Sequence, residues 1–571
     1  MAAAAQASRR TGLGLCPTLV LLLLLGPVTA GLVGTLLPAF GHLPVVGAFG
    51  PSLEPWRRLL ADPALGSAVA VSVLSGTLAT LLAVVLALGT VAAADLQPRF
   101  GWLRRAMLPV LAVPHAAAAV GLAFLLAPSG WLARLVSPWP SGWEHPPDWA
   151  TVQDPYGLAL TLGLVVKETP FLVLMAWAAR AELGGERQLA QARTLGYAPA
   201  AAWCRIVLPR LYARIRLPIF AVLAFGLSVV DMALILGPSA PPTLAALVLR
   251  WSTDPDLQTR LVAAAGACLQ VGLVGAAVGV WLAAERLVAR SARPWLTAGQ
   301  RSRPSSAALT AVWFCAAVAT VLGLAGLAVL GLWSMTGSWR FPDALPRSFS
   351  TAAWASAAVG WLHLALTSLA IAAAATSIAV ALAIGCLERE RRLGSRPGNW
   401  TTLALYLPLV LPQIGFLFGW QVVLVAADLD GSFAAVVLTH LVFVLPYVFI
   451  ALAGPYRALD PRYAQVARAL GKAPWIAWLT VTLPLLARPL LVAVAVGLAV
   501  SVAQYLPTVF AGAGRWPTLA TETVTLAAGA DRRELAVVAL VLSLLPLVAF
   551  ASALELPAQF GWRLAERRRL A

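Results

Sequence analysis

The chain reads as an all-α polytopic membrane protein, with about twelve transmembrane helices arranged as two tandem six-helix repeats about a pseudo-two-fold axis. Three observations carry that reading. Of its 571 residues, 60% are hydrophobic and 11% are charged, with a mean hydropathy of +0.83. Soluble domains run about 45–50% apolar and about 25% charged, so neither a soluble enzyme nor a disordered chain fits. Apolar stretches long enough to cross roughly 30 Å of hydrocarbon recur along the whole chain. Finally, residues 187–211 align without gaps onto 462–486, an offset of 275 positions.

Taken in order, the first six apolar stretches are 16–38, 66–94, 105–127, 156–180, 217–237 and 261–284. The first follows Arg9 and Arg10 and contains a signal-like Val28-Thr29-Ala30. It continues to Pro38, longer than a signal peptide's apolar region, and is expected to stay as a span. After a basic linker at 291–306, the pattern resumes at 307–333, 362–387, 402–427, 433–454, 485–507 and 535–554. This divides the chain into units 1–290 and 307–571. Runs such as Leu19–Gly26 are apolar on every side, whereas barrel strands alternate, so helices are the expected element.

There are 41 Lys and Arg against 24 acids, a net charge of +17. Such a balance would suggest nucleic acid for a soluble protein, but here the positive-inside rule accounts for it. With the N-terminus cytoplasmic, the inside segments hold thirty of these residues and the outside loops ten. Both termini are therefore expected in the cytoplasm.

The repeated segment is the most informative part of the chain. Twelve of its 25 aligned pairs are identical, among them Ala192/Ala467, Arg193/Arg468, Leu195/Leu470, Gly196/Gly471, Pro199/Pro474, Leu208/Leu483 and Pro209/Pro484. The same offset maps Pro242-Thr243-Leu244-Ala245 onto Pro517-Thr518-Leu519-Ala520, and a looser echo joins Pro109, Pro114 and Gly121 to Pro408, Pro412 and Gly419. Each loop predicts a helix closed by a glycine in the left-handed conformation. A second helix then starts on a proline, whose missing N–H costs nothing there. A following Leu-Pro ends that second helix or turns it into the membrane. Both copies fall on the Arg-rich side, between the fourth and fifth spans of their halves. A small-residue helix carrying one arginine and one leucine suits docking in a partner's groove.

At these residues the sequence resembles the permease subunits of bacterial ABC importers, whose signature is Glu-Ala-Ala-x3-Gly-x9-Ile-x-Leu-Pro. It stands here as Ala190-Gln191-Ala192-x3-Gly196-x9-Ile206-x-Leu208-Pro209 and Gln465-Val466-Ala467-x3-Gly471-x9-Val481-x-Leu483-Pro484. The initial Glu is absent from both copies. The fused halves, and the stretch 503–526, resemble the iron(III) and thiamine importer group. The resemblance implies a partner ATPase dimer in the cytoplasm that binds the ATP and Mg, a periplasmic solute-binding protein, and alternating access driven through the two loops. It implies an inner-membrane location and a thiamine-like cation or ferric ion as solute. The chain is accordingly expected to be no enzyme and to bind no cofactor itself. Its one Gly-Lys pair, Gly471-Lys472, is followed by Ala473, so a GxxxxGK[ST] phosphate loop is lacking.

Three charged residues fall inside spans: Lys167, Glu168 and Asp231. Such groups are functional suspects by default. A Lys167–Asp231 bridge is one reading, and contact of Glu168 or Asp231 with a cationic solute is the other. Gln504 and Tyr505 could line a path near the outer end of span eleven, or Tyr505 could anchor the interface. Trp203 and Trp478 are expected in interface belts. The five histidines and five dispersed cysteines predict no metal, no disulfide framework and no catalytic constellation. The Trp- and Pro-rich loop 137–149 reads as either a docking rim or irregular cover. A twelve-span ion-coupled secondary transporter is the alternative, for which coupling carboxylates and no such loops would be expected. A membrane scaffold is a third class.

Overall fold

The computed structural model describes residues 14–299, 301, 306–356, 358–394, 398–529 and 531–570. Arg9 and Arg10, and residues 302–305 of the linker, lie outside that set. Ten helices among the described residues are long and apolar enough to cross a membrane, and twelve if each of two bent pairs is one span. The only paired strands among them are the two-residue His42–Leu43 and Ala48–Phe49, which form a small hairpin after the first span. The expected all-α polytopic architecture is observed, with ten to twelve candidate spans among the described residues.

Several spans depart from the simple picture because they are broken. Span three consists of Leu103–Ala112 and His115–Leu126. Span nine consists of Asn399–Val410 and Gln413–Ala426, bent by 95°. In each, the residue ahead of a proline (Val113, Leu411) is extended, because the proline ring disfavours the helical conformation before it. Span five, expected at 217–237, is Leu208–Ser228 followed by Asp231–Leu236. Span eleven is Ala487–Val502 followed by Leu506–Gly512. Mean hydropathy over a whole span hides these interruptions, although Asp231 follows the break in span five and Gln504 and Tyr505 lie in that of span eleven.

The two halves interlock. Span one (Cys16–Ala39) packs most extensively on Gln413–Ala426 of the second half, and span seven (Ser306–Ser334) on His115–Leu126 of the first. Both contacts are made by glycine. A Cβ at Gly34 would sit 2.4 Å from the carbonyl oxygen of Gly419, and one at Gly121 would sit 2.7 Å from that of Gly326. Lipid tails are as apolar as side chains, so helices associate in a bilayer through such close backbone approach. Thr35 adds a polar tie, its Oγ1 accepting the Gly419 N–H at 3.0 Å. Gly121 and Gly419, paired by the loose proline–glycine echo, thus occupy equivalent contacts.

The Pro-Thr-Leu-Ala repeats are also matched. Each opens a short helix, Leu244–Ser252 or Leu519–Ala527. The Leu244 N–H donates to Ser72 Oγ at 2.9 Å and the Leu519 N–H to Ser368 Oγ at 3.0 Å. Ser72 lies in Leu65–Leu96 (span two) and Ser368 in Ala358–Leu393 (span eight). A hydroxyl satisfies an otherwise orphaned helix-start donor in both halves.

Candidate functional site

The two repeated loops have the same closure. Helix Glu186–Thr194 ends with the Gly196 N–H donating to the Arg193 carbonyl and the Tyr197 N–H to the Ala192 carbonyl, both at 3.0 Å. Helix Arg462–Ala469 ends with the Gly471 N–H donating to the Arg468 carbonyl at 3.0 Å and the Lys472 N–H to the Ala467 carbonyl at 3.1 Å. Gly196 and Gly471 share a φ of +85°. This is the Schellman closure, which needs a left-handed residue after the helix. Pro199 and Pro474 then occupy the first turns of the following helices. Pro209 starts the membrane helix Leu208–Ser228. After Leu483 and Pro484 the second copy bends by 75° into Ala487–Val502.

Within each loop Ala192 and Ala467 face inward, while the neighbouring arginines and leucines face out. Leu195 is 61% exposed and Leu470 is 77% exposed. The second loop adds exposed Tyr463, Val466 and Trp475. Apolar side chains displayed beside Arg193 and Arg468 make two rigid knobs.

Each loop is fastened to its own half by a tryptophan. Trp203 is buried, contrary to its expected place in an interface belt, and its Nε1–H donates to Asp95 Oδ2 at 2.9 Å. Asp95, at the end of span two, also accepts from Arg180 Nε at 2.6 Å. The Trp478 Nε1–H donates to the Tyr456 hydroxyl at 3.0 Å, which donates to Glu388 at 2.8 Å. Glu388, near the end of span eight, is further held by Arg391 and Arg392. A carboxylate closing the second helix of each half thus grips the loop, directly in one case and through a tyrosine in the other. Identical tryptophans signalled this, but their partners lie elsewhere in the chain and share no offset of 275. Beside Trp203, burial raises the pKa of the Cys204 thiol above its ordinary value.

The intramembrane charges gather at the breaks. The Lys167 ammonium donates to the carbonyls of Val110 at 2.9 Å, Leu111 at 3.2 Å and Val113. It therefore satisfies the C-terminal end of Leu103–Ala112, where a cation also meets the negative end of the helix dipole. The Lys167–Asp231 bridge is not formed. The Glu168 Oε1 lies 3.2 Å from His115 Nε2, at the start of the next helix segment. Asp231 begins the segment after the break in span five and is buried there.

Tyr505 and Gln504 sit at the break in span eleven, not at its outer end. Tyr505 packs against both principal apolar cores, so it is no interface anchor. Side chains also prop the breaks in spans five and eleven. Gln270 Nε2 donates to the Leu227 carbonyl at 3.1 Å, and the His440 ring lies between the Ser501 and Thr508 hydroxyls at 2.9 and 3.0 Å. No group of three or more His, Cys, Asp or Glu placed to hold a metal occurs among the described residues.

No protein-family model matches the chain. It is 33% identical over 510 residues to the inner membrane ABC transporter permease protein YnjC of Escherichia coli K12, covering 88% of this chain and 90% of that protein. A shorter likeness, 27% identical over 197 residues, joins 34% of the chain to 73% of PhnV from Salmonella typhimurium, which carries the name of a 2-aminoethylphosphonate transport system permease protein.

Proposed function

The chain belongs to the ABC transporter permease proteins, and from that premise we propose that it supplies both transmembrane halves of an importer in a bacterial inner membrane. Units 1–290 and 307–571 are the two halves, the basic linker 291–306 joins them, and both termini face the cytoplasm. A separate ATPase dimer binds ATP and Mg and seats on the loops around Gly196 and Gly471. A periplasmic solute-binding protein delivers the solute at the opposite face.

The observation that carries this reading is the pair of glycine-closed loops with identical hydrogen bonding, each tied by a tryptophan to a carboxylate ending the second span of its half. A push on either loop reaches its membrane helices through Leu208-Pro209 or Leu483-Pro484 and through these ties. The halves then rock against each other, an alternating-access motion of two repeats.

The solute is a small molecule bearing positive charge, thiamine-like or ferric. Glu168 lies 3.2 Å from His115 at the break in span three, Asp231 opens the segment after the break in span five, and Tyr505 stands at the break in span eleven of the second half. Carboxylates and aromatic rings together recognise a cation or ammonium in a dry setting. An aminophosphonate is the second reading, favoured by the likeness to PhnV; its ammonium would meet the same carboxylates. The reading is tested by purifying the chain from its native membrane with whatever ATPase it retains. Reconstituted transport of a cationic solute should then fall at least tenfold in a Glu168→Gln, Asp231→Asn variant that still hydrolyses ATP. Undiminished transport would remove these acids from the path, and failure to retain any ATPase would remove the permease role.

A further inference from the structure

The linker between the halves does more than span a gap. The last helix of the first half runs unbroken from Thr259 to Thr297, carrying Trp295 well past the apolar stretch expected to end at 284. There it meets the first loop. The Arg205 guanidinium carbon lies 4.7 Å from the Trp295 ring centroid and 5.3 Å from that of Tyr197, so this cation is shared by two aromatic faces. A Cβ placed on Gly196 would sit 3.4 Å from a guanidinium nitrogen of Arg301, which therefore lies over the turn that closes the docking helix. A Cβ on Gly299 would stand 3.9 Å from the Tyr197 hydroxyl.

The second loop cannot build this arrangement. The 275-residue offset places Lys472 where the first loop has Tyr197, and Thr480 where it has Arg205. The Lys472 ammonium instead donates to the Thr480 hydroxyl at 3.2 Å, within the loop itself. The two loops thus agree in backbone and differ in what covers them.

We infer that the linker residues Trp295, Gly299 and Arg301 are a working part of the first ATPase-docking surface, and that the two docks are chemically unequal. This rests on the permease reading above. The ATPase subunit on the first loop meets exposed Arg193 and Leu195 together with the linker's Arg301 over Gly196. The subunit on the second loop meets exposed Tyr463, Val466, Leu470 and Trp475 beside that loop's own exposed Arg462, Arg468 and Lys472, and nothing described lies within 4 Å of a Cβ on its closing Gly471. The linker thus adds Trp295 and Arg301 to the first dock alone, and the aromatic–guanidinium–aromatic stack holds that rim in place.

The test uses the full permease with its ATPase in nanodiscs, the five native cysteines replaced by serine. Single cysteines at Leu195→Cys or Leu470→Cys are cross-linked to the ATPase by a short bifunctional maleimide. Trp295→Ala combined with Arg301→Ala should lower the adduct rate at Leu195→Cys about five- to tenfold, in keeping with loss of a cation–π contact and a charge. The rate at Leu470→Cys should change less than about twofold. Equal effects at both loops, or none at the first, would overturn the inference while leaving the permease role standing. Absence of any adduct in the parent protein would instead remove the permease role.

Discussion

Replacing the loop-closing glycines isolates backbone conformation from every other property of the docks. Both sit at φ +85°, where an L-residue costs about 1–2 kcal/mol. Nothing described lies within 4 Å of a Cβ added at Gly471, so Gly471→Ala there carries a conformational cost without a clash. At about 1.4 kcal/mol per factor of ten, it should cut the population of the closed loop, and with it ATPase affinity, by roughly 5- to 30-fold. Gly196→Ala should act alike, since its Cβ would meet only the movable Arg301 side chain. Asparagine tolerates the left-handed region, so Gly471→Asn should keep most of the affinity. Gly196→Pro with Gly471→Pro removes both N–H donors and imposes φ near −65°, which should abolish association. The assay is titration of detergent-solubilised permease with purified ATPase, with chromatographic homogeneity as the check on folding. Retained coupling in the double proline variant, or equal losses for alanine and asparagine at 471, would refute the reasoning.

The other expectations concern packing, the break in span three, and thiol chemistry. Gly419→Ala would place a Cβ 2.0 Å from the Gly31 carbonyl oxygen and should prevent recovery of monodisperse protein, whereas Gly26→Ala, with nothing within 4 Å, should be silent. Lys167→Met strips the donor from the Val110 and Leu111 carbonyls; about 1–3 kcal/mol per orphaned buried group should appear as a lowered unfolding temperature in detergent. Because burial raises the Cys204 pKa and only the thiolate reacts, maleimide should label Cys204 more slowly than an exposed Leu470→Cys thiol at neutral pH. The Cys204 rate should keep climbing at alkaline pH after the exposed thiol has levelled off.

Much of this architecture was legible from residue order alone. Apolar stretches located twelve spans because backbone satisfaction in lipid permits little else. The spacing of Gly196, Pro199 and Pro209, repeated at Gly471, Pro474 and Pro484, foretold helix, turn and helix because only those residues tolerate those positions. The break at 229–230 was hidden, since Val229-Val230 are as apolar as an intact helix would be, and at 503–505 only Gln504 and Tyr505 marked a place that whole-span hydropathy passes over. Lys167 escaped correct pairing for a related reason. Its partners are backbone carbonyls freed by the break ahead of Pro114, and free carbonyls leave no trace in composition. The tryptophan ties were half visible: Trp203 and Trp478 stood out as a pair, but Asp95 and Glu388 answer them from helices that carry no matching motif. The exchange of first spans depended on glycines whose neighbours lie hundreds of positions away.

The most direct measurement is the sidedness and occupancy of the two loops in cells. Leu195→Cys and Leu470→Cys, each in a cysteine-free chain, are exposed to a membrane-impermeant maleimide in intact spheroplasts and in inverted vesicles stripped of peripheral proteins. The account predicts labelling only in the inverted vesicles, and protection of both sites once the ATPase is added back. Labelling from the outer face, or no protection by the ATPase at either site, would contradict it.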